Sequence, residues 1–169
     1  MQKPKLIVGS IVVVVVAMAW YLFRPELIVV HKTVNETLPM SATSASTAKD
    51  VQSTVLTTGR FHSVAHETMG VATIHQLNDG KRLVRLTAFQ TSNGPDVRVY
   101  LVAARDATDS DTVTQAGFVD LGAMKGNRGD QNYEISSSID LSHYQSVTIW
   151  CRRFGVNFAT APLTPQQQI

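Results

Sequence analysis

The chain has 169 residues and a net charge of +2; 44% of its side chains are hydrophobic and 17% charged, below the roughly 25% charged content of a soluble domain. Two of its 15 lysines and arginines, Lys3 and Lys5, precede a long apolar run, and the rest balance the 13 acidic residues, so the body carries no basic footprint for nucleic acid. Cys151 stands alone, which excludes an intramolecular disulfide, a Cys-rich zinc cage and a Cys-x-x-Cys-His attachment of haem.

Residues 1–5 read as a cationic cytoplasmic terminus and 6–23, LIVGSIVVVVVAMAWYLF, as a transmembrane helix. At 1.5 Å per residue the run covers about 27 Å, close to the thickness of a thin hydrocarbon layer. Valine is a poor helix former in water, but in lipid the backbone has no other partner. Trp20 and Tyr21 sit where amphipathic rings favour the headgroup layer, and the leading lysines favour export of everything that follows. Ala17-Met18-Ala19 has the small-x-small form of a signal cleavage site, yet the apolar run continues through Phe23, which favours an uncleaved anchor. The expected location is the cell membrane, crossed once, with the C-terminal domain extracytoplasmic.

Residues 24–51 read as a stalk. Leu27-Ile28-Val29-Val30 could continue the anchor or form a juxtamembrane strand. The serines, threonines and alanines of 41–48 cannot bury enough apolar area to order themselves. Asn35-Glu36-Thr37 matches the glycosylation tripeptide and is read as chance.

From residue 52 the pattern changes to short β-type runs punctuated by turns. Strands are expected at 55–62, 69–77, 82–89, 97–101, 117–121, 132–135, 146–152 and 156–159. Asn78-Asp79-Gly80 suits a hairpin, because Asp-Gly tolerates positive φ. Residues 105–115 are expected as a loop and 141–144 as a helical turn. The fold class is therefore all-β: an antiparallel β-sandwich of about eight short strands over 52–163, preceded by one transmembrane helix and followed by a tail at 164–169.

Four ordered blocks carry a family resemblance: the stretch from Asn93-Gly94-Pro95-Asp96 to Leu101, Leu121-Gly122-Ala123-Met124-Lys125-Gly126, Gly129-Asp130-Gln131-Asn132-Tyr133, and Ser146-Val147-Thr148-Ile149-Trp150-Cys151. With Phe154 and Phe158 beyond them, they resemble the DM-thirteen domain family, also called the electron-transfer DM thirteen domain. The likeness spans 58–163, and Arg24-Pro25-Glu26 is similar to membrane-anchored bacterial members. The resemblance implies extracytoplasmic redox chemistry in which a cysteine, here Cys151, serves as a free thiol or as a ligand to a prosthetic group such as haem. It also points to His66, which precedes Thr68-Met69-Gly70 in a His-x-x-x-Gly stretch, as a residue near Cys151.

The residues themselves leave Cys151 open. Alternation puts it on one strand face with Val147 and Ile149, as a core residue would be, while Arg152 and Arg153 beside it could favour a thiolate. Trp150, opposite, could pack beneath the second sheet or form an exposed platform. His62 and His66 would lie about 13 Å apart in a strand, too far for one metal. His75 and His143 are isolated. Cys151, His66, Met69 and Met124 are conceivable haem ligands that no spacing connects, so the cofactor stays unknown. Asp106, Asp109 and Asp111 lack the glycine and glutamate of an EF-hand. Lys125-Gly126-Asn127-Arg128-Gly129 lacks the following helix of a phosphate loop. No Gly-x-Ser-x-Gly elbow occurs. Two functions remain: a membrane-anchored redox or electron-transfer module centred on Cys151, with His66 as a speculative cofactor ligand and an extracytoplasmic redox or protein partner, or a non-enzymatic ligand- or protein-binding module in which Cys151 is only core.

Overall fold

Period-two runs that bury alternate side chains need a second layer to bury them against, and the chain supplies one by folding two sheets face to face. The computed structural model describes residues 3–23, 31–39 and 53–166, with the side chains of the N-terminal helix described from 8 to 21. The strands are β1 (Thr33–Asn35), β2 (Ser53–Arg60), β3 (His62–Ser63), β4 (Met69–Leu77), β5 (Arg82–Gln90), β6 (Val97–Val102), β7 (Phe118–Ala123), β8 (Arg128–Ile135), β9 (Ser146–Cys151), β10 (Val156–Pro162) and β11 (Thr164–Pro165). One sheet has the order β1-β8-β5-β4-β2-β11 and the other β3-β10-β9-β6-β7. Every pairing is antiparallel except β1 with β8, which is parallel.

The expected hairpin forms at Asp79, whose Oδ1 accepts from the Lys81 amide at 3.0 Å, with Gly80 at φ +83°. Between the sheets lie Ala72, Ile74, Val84, Leu86 and Phe89 from one layer, and Val99, Leu101, Val147, Ile149 and Cys151 from the other. Each large apolar side chain buried this way contributes about 1.5–3 kcal/mol.

Residues 105–115 differ from the expected plain loop. A short helix, α2 (Ser110–Ala116), starts where the Asp109 side chain accepts from the Thr112 amide at 2.7 Å, an N-cap that satisfies one of the helix's orphan donors. Helix α2 and the chain before it cover the outer face of the second sheet. There Ala107 and Val113 close over Tyr100, Val102 and Trp150. Trp150 thus packs under this cover, neither beneath the other sheet nor exposed. Because both faces of β9 are covered, all its residues are buried.

The expected transmembrane anchor needs correction. Lys3–Phe23 is an α-helix, α1, and its described side chains are exposed and, Ser10 apart, apolar. Among the described residues, however, no helix is long and apolar enough to cross a membrane.

Part of the expected stalk, 31–39, lies against the first sheet. Strand β1 pairs Val34 with Gly129, and only glycine fits there: a Cβ on Gly129, which also has φ +91°, would collide with the Val34 carbonyl oxygen. Leu27 to Val30 and the 41–48 stretch lie outside the described residues.

Candidate functional site

Cys151 ends β9, paired on one side with Val97 of β6 and on the other with Val156 of β10. Its side chain joins the inter-sheet core and is 0% exposed. Alongside it runs the 93–96 turn. A Cβ built on Gly94 would stand 3.7 Å from Cys151 Sγ, 3.3 Å from Phe158 Cζ and 2.9 Å from Val97 Cγ2, so the missing side chain lets the turn backbone close over the sulfur. The turn is held by Asp96, whose carboxylate takes Arg152 Nε at 2.7 Å and Arg98 Nη1 at 3.5 Å, while its carbonyl accepts from the Arg152 amide. The Arg152 guanidinium thus engages Asp96.

Above Cys151 opens a cleft of about 450 Å³ with mainly apolar walls, lined also by His66, Met69, Phe154 and Phe158. Cys151 forms its sealed floor. The chain around His66 follows β10 through hydrogen bonds from the Val64 and His66 amides to the Phe158 carbonyl at 2.9 and 3.2 Å. This places the His66 ring on that of Phe158, with centroids 3.8 Å apart. Burial lowers the His66 pKa below the usual imidazole value of 6.5, which favours the neutral ring. Thr68, buried beside it, shares a 2.7 Å hydrogen bond with Thr91 and donates to the His66 carbonyl at 3.0 Å, which fixes the turn. Cys151 and His66 therefore line one cleft, through the pairing of β10 with both β3 and β9.

The other candidates lie elsewhere or are otherwise engaged. His62 meets Asp106 at 2.7 Å on the surface. His75 shares a 3.1 Å hydrogen bond with Ser53. His143 is exposed and 3.5 Å from Asp140. Asp106, Asp109 and Asp111 do not converge: one pairs with His62, one caps α2, and Asp111 lies in its first turn. Among the described residues no three His, Cys, Asp or Glu side chains gather to hold a metal ion. The Lys125–Gly129 loop is braced by Gln131, which accepts from the Gly126 amide at 3.1 Å and donates to the Gly126 carbonyl at 2.8 Å, and Lys125 is paired with Glu36.

Haem, the prosthetic group named with the resemblance, does not find a ligand in Cys151. Axial ligation needs a ligand atom facing open space, and Cys151 Sγ has none. Met124 packs against the core and does not line the cleft, whereas His66, its ring on Phe158, and Met69 do.

Residue spacing gave no sign of one wall. His31 lines the cleft because Asn127, itself 0% exposed, shares a 3.0 Å hydrogen bond with its Nδ1 and accepts from the Lys32 amide at 2.8 Å. His31 and Asn127 are far apart in sequence, and no local pattern links them.

Residues 60–163 match the family model described as Electron transfer DM13. No curated protein and no solved structure matches the chain.

Proposed function

The chain belongs to the Electron transfer DM13 family, and from that premise we propose that its sandwich domain takes part in redox chemistry with Cys151 as the group concerned. The supporting observation is the position of the sulfur: it ends a fully buried strand at the floor of a cleft, behind Gly94 and Phe158. A thiol so placed is shielded from indiscriminate oxidation, yet only a thin layer of protein separates it from anything in the cleft.

The same reading puts the domain outside the cytoplasm and at a membrane. It is supported by the charge-free apolar run after Lys3 and Lys5 and by the exposed apolar side chains of α1, such as Val13 and Trp20. Membrane fractionation with protease protection tests it; a protein that is released by salt, or is protease-resistant in intact cells and sensitive only after lysis, would contradict it.

A second reading is favoured by one observation, the 0% exposure of Cys151: the cysteine is core and the domain is a non-enzymatic binding module. Voltammetry and thiol titration of the purified full chain, beside Cys151→Ala, separate the two. A reversible wave or a chromophore present in the native chain and lost in the variant supports the redox reading. Identical voltammograms with a thiol that reacts only after denaturation leave Cys151 as core.

A further inference from the structure

We propose that the cleft over Cys151 binds a small planar aromatic molecule carrying one anionic group, with its ring against Phe154 and Met69 and its anion on Arg128. The inference names a ligand class for the site of the electron-transfer reading and rests on that reading only for what the bound molecule does.

Three observations carry it. The cleft's 450 Å³ lies within the roughly 300–1,000 Å³ typical of small-molecule sites, and its walls are mainly apolar. Phe154 and Met69 on its lining are large apolar groups, 55% and 49% exposed. Arg128 lines the same cleft and differs from three other arginines that hold carboxylates. Arg85 meets Asp130 at 2.6 Å, Arg98 meets Asp120 at 2.7 Å and Arg152 meets Asp96 at 2.7 Å. Arg128 is half-buried and forms no ion pair with a carboxylate of the described residues.

The backbone makes this placement rigid. Arg128 pairs with Gln90 of β5 and with Thr33 of β1, so its Cα is held from both sides. An anionic oxygen in the cleft would meet a half-buried guanidinium that no carboxylate of the described residues neutralises. The planar guanidinium matches carboxylate, sulfonate or phosphate oxygens. Glu67, the carboxylate on the lining, is exposed and does not pair with Arg128. His66, stacked on Phe158, adds an aromatic wall, and burial favours its neutral form.

The test titrates the full chain with 2-naphthoate and with its neutral counterpart 2-naphthalenemethanol, by calorimetry. The native chain is expected to bind the carboxylate at least tenfold more tightly than the alcohol. Arg128→Gln is expected to abolish that difference while leaving the alcohol's affinity unchanged, which also shows that the variant is folded. Phe154→Ala is expected to weaken both ligands. Absence of naphthoate binding, or equal naphthoate affinity in the native chain and Arg128→Gln, overturns the proposal. Cys151→Ala keeps the two readings apart: naphthoate binding that survives in this variant upholds the ligand site whether or not the cysteine is redox-active. A Cys151-dependent voltammetric wave without naphthoate binding keeps the redox reading and removes this one.

Discussion

Lys125 Nζ donates to both carboxylate oxygens of Glu36, at 2.8 and 2.9 Å, and so ties a residue that precedes the family-matched region to the loop before β8. The same carboxylate accepts from the Asn132 amide at 2.8 Å, and the Glu36 carbonyl accepts from Arg85 at 2.9 Å. Partial burial disfavours the Glu36 charge, but Lys125, the Asn132 amide and Arg85 outweigh it and hold the pKa below the ordinary 4.5. A depressed folded pKa means stability that is present above the unfolded value and lost as pH falls through the folded one. Glu36→Gln is therefore expected to cost on the order of 1 kcal/mol at pH 7, the scale of a partly exposed ion pair with an added hydrogen bond. It is also expected to flatten the fall in stability below pH 4.5, as read by denaturant unfolding. Equal stability of variant and native chain at pH 7 would show that the Glu36 charge adds nothing to the domain.

Asn157 joins the cover over Trp150 to the sheet. Its side-chain nitrogen donates to the Ala107 carbonyl at 2.8 Å and to Thr160 Oγ1 at 3.1 Å, and its amide donates to Ser110 Oγ at 3.0 Å. It lies at the β9–β10 irregularity, where the register shifts between Asn157 and Ala159. Asn157→Leu leaves the Ala107 carbonyl with Thr160 alone, also at 2.9 Å, and is expected to destabilise by about 1–3 kcal/mol. Amide exchange should locate the loss: faster exchange in α2 with β4 and β5 unchanged is the expected pattern, and uniform acceleration would contradict a local role.

The pH response on the acid side of neutrality has a separate origin. Burial, then the charge of Arg85, lowers the His75 pKa below 6.5. The favoured folded form is thus the neutral one. Its contribution is complete above the unfolded value and is lost as pH falls through the folded value, somewhere below 6.5. His75→Gln, which can still bond Ser53, is expected to flatten the stability profile from pH 6.5 downward, with His66 supplying the remaining slope. Parallel profiles for variant and native chain would remove His75 from the account.

Period two made the sandwich legible. The runs at 69–77, 82–89 and 97–101 became β4, β5 and β6 almost residue for residue, and alternation put Cys151 with Val147 and Ile149, where the core holds it. What escaped depends on long-range pairing or on short local devices. Strand β1 has three residues and pairs in parallel with β8, so no hairpin signal marks it. Asp109 has the composition of a cation loop, but a carboxylate three residues ahead of an amide is also an N-cap, and the cap is what forms. The second buried face of β9 could not be read from β9 alone, since it depends on α2. Even the cleft is assembled from strand ends and turns far apart in sequence, with Cys151 and His66 brought together by the strands that flank β10.

Gly94 offers the most direct probe of the sulfur's seal. A methyl group there would press Val97 Cγ2 at 2.9 Å and Phe158 Cζ at 3.3 Å, both tighter than a relaxed carbon contact of about 3.5–4.0 Å. Phe158 is 3% exposed and cannot move without disturbing the His66 ring stacked on it. Overpacking of this kind costs about 1–3 kcal/mol. Gly94→Ala is therefore expected to lower stability by that amount. It is also expected to loosen the contact between the 93–96 turn and β10, and so raise the rate at which an aromatic disulfide reagent modifies Cys151 in the folded chain. Both readouts matter, because destabilisation alone would follow from any core clash. Faster thiol modification under conditions where the variant remains folded, as judged by its near-ultraviolet circular dichroism, ties the effect to the seal. A thiol as inert as in the native chain would show that something other than the Gly94 turn covers the sulfur.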